Sequence, residues 1–170
     1  MTRVFVFACA LLLAGCGGEA AGTGAGGGGL SHEEPFRVEI DGFPVHLGAD
    51  VESVVSALGE PLGVFEAPSC AFDGTDIVFR FRGAQLHTVP RGPANYVHTI
   101  LLLDDLLATA EGVRVGSSLG DVLAAYGDGF ALEFGAHTFR RGHTGISFLV
   151  EGGVVTAIIY ELDIDGFFGG

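Results

Sequence analysis

Six histidines, 21 acidic residues and eight arginines are the side chains of this 170-residue chain that could do chemistry. Their spacing decides which chemistry is open to them. A zinc-hydrolase helix carries two histidines four residues apart with a glutamate between them, so that both ring nitrogens reach one metal. None of His32, His46, His87, His98, His137 and His143 stands in H-x-x-x-H or H-E-x-x-H. His87, His98, His137 and His143 could meet a carboxylate on one sheet face and bind zinc, but scattered surface positions fit their spacing better. The pairs Asp104-Asp105 and Asp163/Asp165 begin the oxygen series of a calcium loop and stop before the bidentate glutamate that closes one. Solvated strand ends account for them. No serine stands in G-x-S-x-G, and Ser147 lies inside a strand pattern. The expectation is a protein with no catalytic residue, no cofactor and no resident metal.

The cations point to binding instead. Arg140, Arg141 and His143, in "FRRGHTG", form the densest basic spot. With Arg80 and Arg82 in "DIVFRFRG", and Arg91 in the link "HTVPRGPANY", they are the candidate contacts for an anion or an acidic partner. The alternative is that these arginines cover the solvent face of a sheet and balance neighbouring acids. A net charge of −13, with no lysine, excludes nucleic acid as a partner, because phosphate binding requires a basic surface. Phe72, Phe130, Phe134, Phe139, Phe167 and Phe168 exceed what two short helices need, so any that are exposed would mark a protein contact. Cys70 has no intramolecular partner once Cys9 and Cys16 are set aside, and is expected to be a small buried hydrophobe.

The elements that position these residues come from an internal repeat. "VHLGADVESVVSALGEP" (45–61) and "VRVGSSLGDVLAAYGDG" (113–129) align without a gap, with Val45, Gly48, Val54, Ala57 and Gly59 recurring as Val113, Gly116, Val122, Ala125 and Gly127. Asp50 and Ser118 are matching N-caps, and Ser118 with Asp121 makes a weak capping box. Val51, Val54, Val55 and Leu58, and then Leu119, Val122, Leu123 and Tyr126, form one helical stripe in each copy. Gly59 and Gly127 end the helices. Each helix is about two turns long, too short to stand alone in water, so it must lie on an apolar surface. Strand patterns follow both: 76–83 and 145–153, then 96–105 and 154–163, with Gly152-Gly153 as a tight hairpin turn. Further strands are expected at Phe36–Ile40, Ser69–Phe72, Ala84–Thr88 and Phe134–Arg140. The fold class expected is α+β: two tandem repeats, 35–105 and 106–165, each a short helix packed on one face of an antiparallel β-sheet, with a tail at 166–170; the two sheets either join or pack side by side.

The front of the chain has another character. Arg3, the apolar run Val4–Leu13 and the small Ala14-Gly15 read as an export signal over residues 1–15, since a membrane span needs about 20 apolar residues. Leu13-Ala14-Gly15-Cys16 resembles the lipobox of bacterial lipoproteins, which implies diacylglycerol on Cys16 and a membrane anchor. Residues 16–34, rich in Gly and Ala, read as a flexible tether. "LGADVESVVSALGEP" resembles a segment of the SmpA/OmlA small outer-membrane lipoproteins (the BamE family), and a tandem helix-and-sheet repeat in an exported chain is similar to the β-lactamase inhibitor protein. These resemblances imply a lipid-anchored, non-catalytic protein-binding or scaffold module whose partner is another envelope protein, in the outer membrane facing the periplasm if the cell has one. The alternatives are a secreted hydrolase inhibitor that plugs a cleft with the link His87–Tyr96, and a metal-binding envelope protein.

Overall fold

A computed structural model describes residues 34–169; the signal, Cys16 and all of the tether but its last residue lie outside them. The chain runs β1 (Arg37–Ile40), β2 (Phe43–His46), α1 (Val51–Leu58), β3 (Gly63–Pro68), β4 (Thr75–Phe81), β5 (Ala84–Arg91) and β6 (Ala94–Leu102). After a connection it continues as α2 (Leu119–Tyr126), β7 (Ala131–Glu133), β8 (Ala136–Arg141), β9 (Thr144–Glu151), β10 (Val154–Leu162) and α3 (Ile164–Phe168).

The expected α+β architecture of two helix-on-sheet repeats is overturned. The described chain is mostly β: one eight-stranded antiparallel sheet in the order β3-β4-β5-β6-β10-β9-β8-β7, a separate two-stranded sheet β1-β2, and three short helices. The physical reason lies in β6 and β10. Each ends its own run of strands with an open edge of backbone donors and acceptors between apolar side chains, which is a costly surface to leave in water. The two edges satisfy each other, with Ile158 opposite Leu102 and Tyr160 opposite Ile100, all four fully buried. One continuous sheet results, and the core runs unbroken across the join.

One face of this sheet carries the core. Leu86, Ile100, Leu102, Ile146, Phe148, Ile158 and Tyr160 line it, and α1, α2 and the β1-β2 hairpin cover it. Both long helices form where their stripes and caps require. The Asp50 carboxylate accepts from the Ser53 amide at 3.1 Å, and Ser118 and Asp121 complete a reciprocal capping box. Gly59 and Gly127 both sit at φ of +83°, a conformation that a side chain would strain, which stops each helix after two turns. Each helix is hung on the sheet in the same way. Gly48 donates to the Val97 carbonyl and Val97 to that of Ala49; Gly116 donates to the Val155 carbonyl and Val155 to that of Ser117.

Two strand expectations and one loop expectation change. Ser69–Phe72 is a loop in which the Ser69 hydroxyl accepts from the amides of Ala71 and Phe72, and Cys70 is exposed there rather than buried. Phe134–Arg140 is broken by a turn at Phe134-Gly135, so the strand starts at Ala136. The link His87–Tyr96 is itself a hairpin of β5 and β6, turning at Gly92-Pro93, with Thr88 and Val89 buried. The link is therefore two paired strands and a two-residue turn rather than a free loop.

Candidate functional site

Alternation along β8 separates the predicted basic spot. Arg141 points to the core side, where its Nη1 lies 3.0 Å from a Glu111 carboxylate oxygen and its guanidinium lies 4.3 Å from the centre of the Phe36 ring. Arg140 points to the opposite, open face and pairs with Glu133 at 2.7 Å. His143 sits in the β8-β9 turn, exposed, with Nδ1 3.8 Å from Asp163. Arg80 is on β4, five strands away from Arg140 and roughly 24 Å from it at the usual strand spacing. Arg82 occupies the β4-β5 turn. Arg91 is half-buried between aromatic rings, 3.9 Å from the centre of Phe72 and 5.2 Å from that of Phe168. The six predicted contacts thus form no common patch. Arg141 and Arg91 pack against acids and rings within the fold, and Arg140 pairs with Glu133 on the open face.

The histidines do not converge either. His87 and His98 are close on β5 and β6, and burial lowers the pKa of both; His98 falls to about 4, through burial first and the neighbouring His87 second, against a small opposing pull from Asp76. His137 stacks on Phe130 in the other half of the sheet, with ring centres 4.6 Å apart. Among the described residues, no group of three or more His, Cys, Asp or Glu is placed to hold a metal ion.

Phe134, one of the aromatics expected to mark a contact if exposed, is fully exposed beside Leu132 at the β7 edge of the sheet, and a second exposed apolar surface, at the opposite edge, was not among the predicted residues. Strand β3 is one edge of the large sheet, and it is apolar and exposed: Leu62 is 70%, Val64 50% and Phe65 67% accessible. Its inner neighbours explain why it forms. Val64 lies opposite Phe79 and Phe65 opposite Val78, a β-favouring run between two prolines, Pro61 and Pro68. Beside this edge, on the core side, a groove of about 450 Å³ opens between α1 and β4. Ile77 and Phe79 are its floor, Val51, Glu52 and Val55 one wall, and Pro93 to Asn95 at the β5-β6 turn its end. The same seam in the other half is filled. Phe130, which aligns with Leu62, packs on Phe139 with ring centres 6.0 Å apart, and Tyr126, which aligns with Leu58, packs on Phe36, Phe139 and Phe148.

The backbone of β3 has a spare side. Ser69 donates to the Gly74 carbonyl, and the amide of Ile77 turns to Thr88 on β5. With the register of β3 on β4, this directs the N–H and C=O of Val64 and Glu66 outward from the sheet. The signal in the sequence was "LGVFEAP": three large apolar residues within four positions, masked by prolines that also read as turn punctuation.

No family model matches this chain, and neither the curated proteins nor the solved structures searched contain a match. The likeness to the SmpA/OmlA lipoproteins therefore rests on the short segment that suggested it, and the likeness to the β-lactamase inhibitor protein rested on the two-repeat architecture that the single eight-stranded sheet replaces.

Proposed function

We propose that this chain is an exported, non-catalytic protein-binding module of the bacterial cell envelope, held to a membrane by lipid on Cys16, with another envelope protein as its partner. The observation that carries the binding part is the exposed apolar edge Leu62–Phe65 next to an open groove. Glu66 and Pro68 blunt this edge only in part: Val64 and Phe65 remain exposed beside them, and an open edge with apolar side chains is a template for another chain. The acidic body suits a domain held clear of an anionic membrane surface, and no helix among the described residues is long and apolar enough to cross one.

Two measurements test it. Mass spectrometry of the protein from its own cells should find a diacylglyceryl group on Cys16, and Cys16→Ser should release the protein from the membrane fraction. A photo-reactive amino acid in place of Phe65 should cross-link the anchored protein to another envelope protein, while the same group in place of Asp128, next to the end of α2, should not. An unlipidated Cys16 removes the anchor; no adduct at position 65 removes the binding reading.

A further inference from the structure

The chemistry of the β3 edge specifies its occupant, and this step rests on the binding reading above. We infer that β3 takes an extended segment of a partner protein as a ninth strand, and that this segment carries large apolar residues next to a lysine or arginine.

Three observations converge on one strip. The outward N–H and C=O of Val64 and Glu66 offer the ladder. A strand laid there places alternate side chains over the two faces of the sheet. On the groove side, the position opposite Val64 packs on the exposed Val64 side chain, which lies beside Phe79 at the groove floor, and so takes a large apolar side chain. The next position on that side, two residues along, lies opposite Glu66, with Glu52 in the groove wall. The position between them points to the other face and meets Phe65, where a second hollow of about 190 Å³ lies between Gly63, Phe65, Val78 and Arg80. The recognised core is therefore apolar–apolar–basic along the added strand, or the reverse order if the strand runs the other way.

Charge decides between occupants. A second copy of this chain would bring −13 against −13 and, pairing about Phe65, would set Val64 of each copy against Glu66 of the other, so each carboxylate would meet an apolar neighbour. A basic segment instead supplies the counter-charge that Glu66 and Glu52 lack: neither carboxylate has an ion-pair partner among the described residues.

The test uses the lipid-free chain from residue 17 onward and two labelled nine-residue peptides, with Leu-Phe-Lys or Lys-Phe-Leu at the centre of alternating Thr and Val. Fluorescence anisotropy should show saturable binding of one of them. Replacing its Lys with Glu should weaken binding by about tenfold or more, as should Val64→Pro, which removes an outward donor at a position where an edge strand tolerates proline. Glu66→Lys should reverse the preference, so that the Glu-centred peptide binds and the Lys-centred one does not. Thermal unfolding of both variants guards against a folding defect, and the charge reversal stands even if Val64→Pro fails to fold. Equal binding of Lys and Glu peptides, undiminished binding by Val64→Pro, no binding by either peptide, or concentration-dependent dimers of the free chain would each overturn the inference. A cross-link at position 65 in the envelope, with no peptide binding, would sink this occupant and leave the binding reading in place.

Discussion

The two halves of the large sheet begin with nearly the same helix and finish it differently. Both α1 and α2 are two turns long, capped by matching residues and hung from matching strands. In the second half, Tyr126 and Phe130 follow the stripe with rings, and Phe36, Phe139 and Phe148 meet them, so the seam between helix and sheet closes. In the first half the aligned residues are Leu58 and Leu62; Leu62 points to solvent, and the seam stays open beside an apolar edge. Two aromatic-for-aliphatic differences separate a half that stabilises from a half with room for a ligand. Within one framework, a surplus of packing on one side makes an unfilled groove tolerable on the other.

Packing should separate the two halves most strongly. Phe148→Ala removes a fully buried ring from the aromatic cluster and should cost about 3–5 kcal/mol in urea unfolding. Phe79→Ala, at the floor of the open groove, should cost only about 1–2 kcal/mol, since the ring is already half-exposed. Equal losses would mean that the first half is packed as tightly as the second.

Next is the clamp over the closed seam. The Tyr126 hydroxyl donates to Glu111, whose other oxygen holds Arg141 against Phe36. Burial, and then the bond to Glu111, raises the Tyr126 pKa, so the hydroxyl stays a donor throughout the ordinary pH range. Glu111→Gln should cost about 1–3 kcal/mol, because it neutralises the carboxylate that both pairs with the part-buried Arg141 guanidinium and accepts from the Tyr126 hydroxyl. Differential scanning calorimetry should show a lowered midpoint, whereas Glu52→Gln, in the groove wall of the other half, should leave it in place.

A smaller effect distinguishes the halves by pH. The first half carries His87 and His98 buried and uncharged, with His98 at about 4. A histidine whose folded pKa is depressed binds fewer protons folded than unfolded between the two values. Stability therefore falls as pH drops from about 6.5 to about 4, by on the order of 2 kcal/mol. His98→Gln should flatten that part of the profile. An unchanged slope would place the acid sensitivity elsewhere, and the Glu161 carboxyl bears on the same range with opposite sign. Burial raises its pKa, so the folded state holds its proton at a pH where the unfolded chain has lost it, and protonation on acidification favours folding.

The parts of this design legible in the sequence are those written in local spacing. Asp50, Ser118 and the glycines at 59 and 127 announce helix ends because capping is a matter of three or four consecutive residues. The β6-β10 join was invisible because nothing in either strand names its partner; two open apolar edges in one chain do not say whether they meet each other or something else. The facing of Arg140 and Arg141 was hidden for a related reason. Neighbours in sequence look like a patch, but on a strand they point to opposite faces, and only the partners, Glu133 and Glu111, reveal their roles. Strand β3 was hidden by Pro61 and Pro68, which can end elements as well as bracket an edge. The groove depended on an absence, that of a ring in the position aligned with Phe130, and an absence is legible only against its filled counterpart.

The smallest expected effect concerns the caps, where the two halves come closest to equality. Ser118 and Asp121 bond each other's backbone amides, at 3.1 and 2.8 Å, and the Ser118 hydroxyl adds a bond of 2.7 Å to the Asp121 carboxylate. In α1 the Asp50 carboxylate takes both the amide and the hydroxyl of Ser53, so one side chain does all the accepting and nothing returns to its own amide. Ser118→Ala and Asp50→Ala should each cost about 1 kcal/mol. Acid should separate them. The Ser118 hydrogen bonds lower the pKa of Asp121, so the box contributes stability above the unfolded carboxylate range and loses it as pH falls through the lower folded value. Asp121→Asn should remove that acid dependence while α2 still forms on Val122, which is fully buried. If Asp121→Asn instead melts α2, as followed by hydrogen exchange of the Leu123 and Tyr126 amides, the cap and not the packed stripe holds the second helix, and the two halves differ in kind at their start as well as at their finish.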